Sequence, residues 1–366
     1  MANLLKIVSN AYVTRKQPIS LVHFITNRCN ARCKHCFIDF DAPGAFAGEL
    51  KFEEIEKLTK QFDNSLLNVN ITGGEPFLRS DIYRIVEAYF LHAGVSSVYI
   101  TTHGGFTDRT AKFIDQFIEA DIDGQIIFSF SIDNFEKAHN ENRRLRNLFQ
   151  STLDTFHMVH DHDMPNIIPN IAITVTQHNY DQVINLYRYL KEEEGVDAFT
   201  AIAMREQGVI KNMDPTIKTR IHEAYIELTN QISEDQKSRE TVGYKGTLVG
   251  RVLNAKNKIQ YDILQNTYLE PRYISHCPAG ALFVVVYANG DVYPCEILHN
   301  RKLGNLRKYE MNLLELLQNA ETNACKKFIK DTDCHCSYEC AWSINIISNK
   351  QYIPSLVSGV AKTYFR

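Results

Sequence analysis

Residues 26–37 read TNRCNARCKHCF and set Cys29, Cys33 and Cys36 at a C-x3-C-x2-C spacing. Soft sulfur ligands suit iron, and three thiolates on one short arc reach three corners of a single iron-sulfur cube. The fourth iron of such a cube is left without a cysteine, so it is free to bind a small molecule and pass it an electron. A structural zinc site is the competing reading, but zinc loops pair as C-x2-C with a distant second pair and close all four positions.

Outward from this arc the chain alternates β-rich runs with helical periods. The candidate strands are ISLVHFI from residue 19, LLNVNIT from 66, SSVYITT from 96, IIFSFSI from 126, NIAITVT from 170 and VDAFTAIA from 196. Between them lie amphipathic stretches such as FEEIEKLTKQF from residue 52 and YDQVINLYRYLKEEE from 180, with apolar residues returning every three or four positions. This is the pattern of βα units around a parallel sheet, and it fits a partial barrel as well as a flat doubly wound sheet. In either case a ligand sits beyond the carboxyl ends of the strands, which is where the cysteine arc falls.

A chain of 366 residues with 44% hydrophobic content buries a full core. A net charge of −3 lacks the basic excess of a phosphate-backbone binder, so nucleic acid is not expected as a partner. No run resembles a signal peptide or a spanning helix, which predicts a cytoplasmic protein with no membrane partner. Nine cysteines, an odd number gathered toward the two ends of the chain, point to metal ligation rather than disulfides.

With its spacing and setting, the arc resembles that of the radical SAM superfamily, whose loop binds a 4Fe-4S cluster with S-adenosylmethionine chelating the open iron. The residue before the third cysteine, commonly aromatic in that family, is His35 here, and Phe37 follows as the candidate aromatic contact. After the second strand run, Thr72-Gly73-Gly74-Glu75-Pro76 holds two glycines that let backbone approach a ligand closely. Read alone this is also an ordinary strand-to-helix turn; the resemblance makes it the GGE motif that contacts the methionine amino group. Thr102, in Thr101-Thr102-His103-Gly104-Gly105, is similar to the family's T-N-G strand end, and a lone histidine such as His103 is more often a satisfied hydrogen-bonding residue than a catalyst. Ser129, Ser131 and Asp133 resemble the ending that lies beside the ribose and carboxylate of the cofactor. His139 and Arg143 are similar to an H-x3-R that follows, and a guanidinium fork matches the methionine carboxylate. The resemblance favours the α/β fold of a partial (β/α)6 barrel. His157, His160 and His162 with Asp161 and Asp163 read as a surface helix end rather than a second metal site, and Arg205 or Glu206 after the sixth run are candidates to face the cavity.

A second cysteine group lies near the C-terminus. Cys277 precedes ALFVVVYA, and Asn289-Gly290 leads into DVYPC, which ends at Cys295. Asn-Gly between two β runs is a strong hairpin signal, and the fold-back brings the two cysteines together. Cys334, Cys336 and Cys340 follow downstream while Cys325 stands apart, and a four-thiolate zinc site remains open on residue types alone. The segment resembles SPASM and twitch extensions of radical SAM barrels, through the G-x4-C of Gly290 to Cys295 and the C-x3-C of Cys336 to Cys340. The resemblance implies one auxiliary 4Fe-4S cluster, held by Cys277, Cys295, Cys340 and either Cys336 or Cys334, in a small C-terminal α+β domain. The expected organisation is an N-terminal extension (1–18), the barrel (19–205), a helical connector (206–270), the auxiliary domain (271–345) and a tail (346–366).

The resemblance implies an oxidoreductase that cleaves S-adenosylmethionine to a 5′-deoxyadenosyl radical, abstracts hydrogen from a substrate and passes an electron to the auxiliary cluster. It also implies a reducing partner such as flavodoxin or ferredoxin. Many peptide-modifying relatives carry an N-terminal leader-recognition domain, and the short stretch ahead of residue 19 tilts the expectation to a small metabolite, with a peptide substrate as the alternative. A non-catalytic iron-sulfur carrier or scaffold is the alternative of another class, against which the Gly73-Gly74-Glu75 turn stands.

Overall fold

The computed structural model describes residues 3–205, 213–238 and 248–362. Six parallel strands form the first part of one sheet: β1 (Ser20–Thr26), β2 (Asn68–Gly73), β3 (Ser97–Thr102), β4 (Gln125–Ser131), β5 (Ile167–Val175) and β6 (Phe199–Ala203). Helices Phe52–Thr59, Ile82–Ala88, Thr107–Glu119, Leu148–Asp161 and Val183–Glu192 alternate with them. β1 and β6 do not pair, so the curved sheet is an open, partial barrel. All seven residues of β1 are buried, as expected of a parallel strand covered on both faces.

Three strands extend this sheet on the β1 side. β7 (Phe283–Val286) runs parallel to β1, with Ser20 opposite Phe283 and His23 opposite Val286. β8 (Asp291–Tyr293) and β9 (Gly304–Asn305) follow antiparallel, giving the order β6-β5-β4-β3-β2-β1-β7-β8-β9. The hairpin expected at Asn289-Gly290 is present, and its Gly290 takes φ +83°, which favours glycine. The hairpin adds directly to the barrel sheet.

β5 starts three residues ahead of the run read from the sequence and includes Pro169. Ile171 donates its N–H to Ala198 on the β6 side, so two residues earlier the missing proline N–H also faces that side, where β6 has not begun. Among the described residues no strand pairs with the other edge of β6, and side chains cap it instead. Ala201 donates to Tyr261 Oη at 3.4 Å, Ala203 to Glu339 Oε1 at 3.3 Å, and Tyr268 Oη donates to the Met204 carbonyl at 2.5 Å. These caps satisfy backbone groups that an open sheet edge otherwise exposes. Tyr261 belongs to the connector helix Leu248–Thr267 and Tyr268 directly follows it; this helix packs against the barrel with its partner Pro215–Ser238, and the tail helix Ile353–Ala361 meets it, Gly359 against Ala255.

The core between sheet and helices is aromatic. Phe128 lies within 6.4 Å ring-to-ring of Phe77, Phe113 and Phe130, and all four are buried. Phe128→Ala should lower unfolding free energy by about 3–5 kcal/mol, the cost of an emptied aromatic site. Denaturant unfolding measures it, and a loss below about 1 kcal/mol would contradict this packing.

Candidate active site and metal centres

The cysteine arc leaves β1 and is suspended from three later units. Gly74 donates its N–H to the Thr26 carbonyl and Glu75 to that of Arg28, both at 2.8 Å. His103, after β3, meets Asn30 Oδ1 through Nε2 at 2.8 Å. Arg32 and Lys34 donate their N–H groups to the carbonyls of Arg143 and Asn142, each at 3.1 Å, and so hang the arc on the end of helix Glu136–Arg143. Because Gly105 donates to His103 Nδ1, the proton sits on Nε2 and the bond to Asn30 has one direction. His103 is thus the satisfied hydrogen-bonding residue that its sequence setting indicated.

The two glycines of the turn do their close approach to the chain itself. A Cβ on Gly73 would stand 2.1 Å from the Thr26 carbonyl oxygen and one on Gly74 2.2 Å from that of Arg28. Both glycines also line the cavity. Glu75 faces the chain and is not part of the cavity lining. Fully buried, its carboxylate accepts from Phe77 N, Thr102 Oγ1 and His103 N at 2.9–3.0 Å, behind the cavity wall.

A cavity of about 260 Å³ opens at the carboxyl ends of the strands. Cys29, Cys33, Cys36 and Phe37 line it from the arc, Gly73, Gly74, Thr102, Ser131 and Arg143 from the next units, and Met204 and Arg205 from the end of β6. Ser129 and Asp133 lie outside this lining. Ser129 Oγ is 3.4 Å from Asn170 Nδ2, and Asp133 is buried against Arg143, whose Nη2 donates to it at 2.5 Å. The Thr174 N–H donates to the other Asp133 oxygen at 3.0 Å. Burial alone would raise the Asp133 pKa, but Arg143, with His35 and His139, holds it down to about 2. His35 bridges this pair and the arc, 3.7 Å from Asp133 Oδ2 and 3.1 Å from Asn142 Nδ2.

The arc's thiols suit a cationic cluster. Burial pushes Cys29 up to about 12, with Glu75, Cys33 and Cys36 adding to the rise against the Ala31 N–H. Cys33 and Cys36 are also raised by burial, partly opposed by Arg143. Such thiols ionise when a cation compensates them, and metal binding then releases their protons. Among the described residues no three His, Cys, Asp or Glu side chains close around a single ion. The arc's thiols instead border one cavity, a spread that a cube of several irons spans.

Near the C-terminus all five expected cysteines are free and partly or fully buried. Burial raises Cys277 well above the thiol range, and Cys336, Cys295 and Cys334 add their charges to the rise. Cys295 is held at about 12 by burial, opposed by the N–H groups of Leu298 and Ile297 and raised by Cys336 and Cys334. Cys340, in the first turn of helix Glu339–Ser348, shares its surroundings with Glu296, Tyr338, Glu339 and Arg205. Cys325 is buried in helix Ala320–Asp331. His157 pairs with Glu194 at 2.8 Å, and helix Leu148–Asp161 ends beside His162, as read from the sequence. Glu206 lies outside the described residues. Asn30, Asn142 and Glu296 carry no motif and were not read as site residues; the position of Glu296, directly after the hairpin cysteine, was the available signal.

The family model of the radical SAM superfamily matches residues 24–190, and that of the SPASM iron-sulfur cluster-binding domain matches residues 277–341. Among curated relatives, the antilisterial bacteriocin subtilosin biosynthesis protein AlbA of Bacillus subtilis is 22% identical over 293 residues, covering 79% of this chain and 57% of AlbA. GTP 3′,8-cyclase of Lactiplantibacillus plantarum is 31% identical over 172 residues, 46% of this chain and 50% of the cyclase. The chain thus spans about half the length of these relatives. Among solved structures, anSMEcpe with bound AdoMet (19% identity, TM-score 0.61) covers 94% of this chain and 98% of its own. Streptococcus suis SuiB bound to precursor peptide SuiA (19% identity, TM-score 0.61) covers 92% and 74%. These two share the fold. Among the described residues no helix is long and apolar enough to cross a membrane.

Arg143→Met strands a buried carboxylate and should cost about 3–5 kcal/mol at neutral pH. The pair's contribution is complete above the ordinary carboxylate value of 3.8 and is lost as pH falls toward about 2, because the folded value is the depressed one. The variant should lack that acid limb in unfolding measured against pH, and a limb identical to that of the unsubstituted protein would refute the pairing.

Proposed function

The chain belongs to the radical SAM superfamily and carries a SPASM iron-sulfur domain, and from that premise we propose that it oxidises a peptide substrate by hydrogen abstraction. When bound, a 4Fe-4S cluster with one open iron supplies the electron that splits S-adenosylmethionine into methionine and a 5′-deoxyadenosyl radical. The observation that carries the reading is the shared cavity, where the three thiols of the arc stand opposite Gly73, Gly74, Ser131 and Arg143. In this reading Cys29, Cys33 and Cys36 hold the cluster. Arg143 and Ser131 face the methionine end of S-adenosylmethionine, Thr102 and the glycines border it, and Phe37, 43% exposed at the rim, packs against it. Glu75, Ser129 and Asp133 hold that wall in place from behind.

A carrier or scaffold has no use for a cavity built this way. The C-terminal thiols hold one auxiliary 4Fe-4S cluster, with Cys277, Cys295, Cys340 and either Cys336 or Cys334 as its ligands, and a flavodoxin or ferredoxin supplies electrons. A peptide is supported by AlbA, matched over most of this chain, and by SuiB, whose structure holds its precursor peptide. This moves the reading away from the small metabolite expected from the sequence. The second reading, a nucleotide-derived metabolite, is supported by the identity to GTP 3′,8-cyclase.

Anaerobic reconstitution with S-adenosylmethionine and dithionite should yield 5′-deoxyadenosine, and Cys29→Ala should abolish it while the iron and sulfide of the second site remain. Loss of all iron in that variant would contradict two independent sites, and no 5′-deoxyadenosine from the intact protein would favour the carrier. A peptide co-purifying with the protein should lose the mass of two hydrogens under turnover. If guanine nucleotides alone consume the radical, the peptide reading falls.

A further inference from the structure

One buried cation stands between the cavity and the C-terminal cysteines and takes no part in the holding of the arc. Arg205 lines the cavity just past β6, with its side chain 17% exposed. Its Nη2 donates to Glu296 Oε2 at 3.0 Å, and its guanidinium lies 4.5 Å from the centre of the Tyr338 ring. Both partners come from the cysteine segment. Glu296 directly follows Cys295, and Tyr338 lies between Cys336 and Cys340 and donates to the second Glu296 oxygen at 2.5 Å. The guanidinium therefore reaches from the barrel to the residue that follows Cys295 and to the ring that lies between Cys336 and Cys340.

A guanidinium does not give up its proton inside a protein, so this charge is permanent. In a site shielded from water it is felt more strongly than at the surface. Iron-sulfur potentials follow net charge, hydrogen bonding to sulfur and solvent exposure. A reduced cluster carries one more negative charge than its oxidised form, so a fixed neighbouring cation favours reduction and a fixed anion opposes it.

We propose that Arg205 and Glu296 together set the reduction potential of the auxiliary cluster, Arg205 drawing it toward the reduced state and Glu296 limiting that pull. The inference rests on the reading that the C-terminal cysteines hold such a cluster. It makes the cavity wall itself the element that poises the second metal centre, since Arg205 belongs to both.

The test uses Cys29→Ala protein, reconstituted anaerobically so that the auxiliary site alone is loaded, titrated with dithionite and mediators and followed by electron paramagnetic resonance. Arg205→Met added to it should shift the midpoint to a more negative potential, and Glu296→Gln should shift it to a more positive one, with iron and sulfide content unchanged. Unmoved midpoints, shifts of the same sign in both variants, or loss of the signal in both would overturn the proposal. If the Cys29→Ala protein with Arg205 and Glu296 intact has no iron-sulfur signal, the auxiliary-cluster reading itself fails, an outcome distinct from unmoved midpoints.

Discussion

The arc at residues 29–36 forms no helix or strand of its own, and the rest of the barrel exists in part to hold it still. An irregular segment with three partly buried thiols keeps one shape only if its polar groups find partners elsewhere. Here they find them on the turn after β2, on the histidine after β3 and on the helix after β4. Each support comes from a different βα unit, so the arc is fixed only once those units are packed. This is why Gly73 and Gly74 matter: a side chain at either would push apart the two loops that they join.

Electrostatics adds a second constraint. Desolvation penalises every charge near the cavity, and the chain answers by pairing them: Asp133 with Arg143 and Arg205 with Glu296. Both arginines line the cavity while both carboxylates sit behind it or toward the cysteine segment. The surface offered to a ligand is therefore cationic at two fixed points, yet the buried charge is compensated. The thiols themselves are held neutral by burial, which leaves their ionisation to whatever cation enters.

Much of this was legible in the sequence because it is local. Six β-rich runs, the two cysteine groups and the Asn289-Gly290 turn follow from alternation, spacing and turn chemistry, all read within a few residues. What was not legible depends on contacts far apart in the chain. Glu75 looks like a ligand residue by position, but Thr102 and His103, from the next unit, turn it inward. Glu296 meets Arg205 only because the C-terminal segment passes the end of β6. The start of β5 was missed because proline normally argues against a strand interior, and only the late onset of β6 makes Pro169 acceptable there.

The least local feature is the joining of the two halves. β7 extends the sheet beside β1 at one end, while Glu339, Tyr261 and Tyr268 cap β6 at the other. An open barrel has two edges, and this chain covers both with segments that come after it. The consequence reaches the chemistry. The first cysteine arc follows β1, Arg205 follows β6, and the C-terminal segment touches both strands, so the spacing between the two thiol groups is fixed by the sheet rather than by a linker. Whatever the two thiol groups hold would keep a separation set by strand packing, and an open barrel that needs its edges covered supplies the physical reason for the C-terminal segment to sit against it.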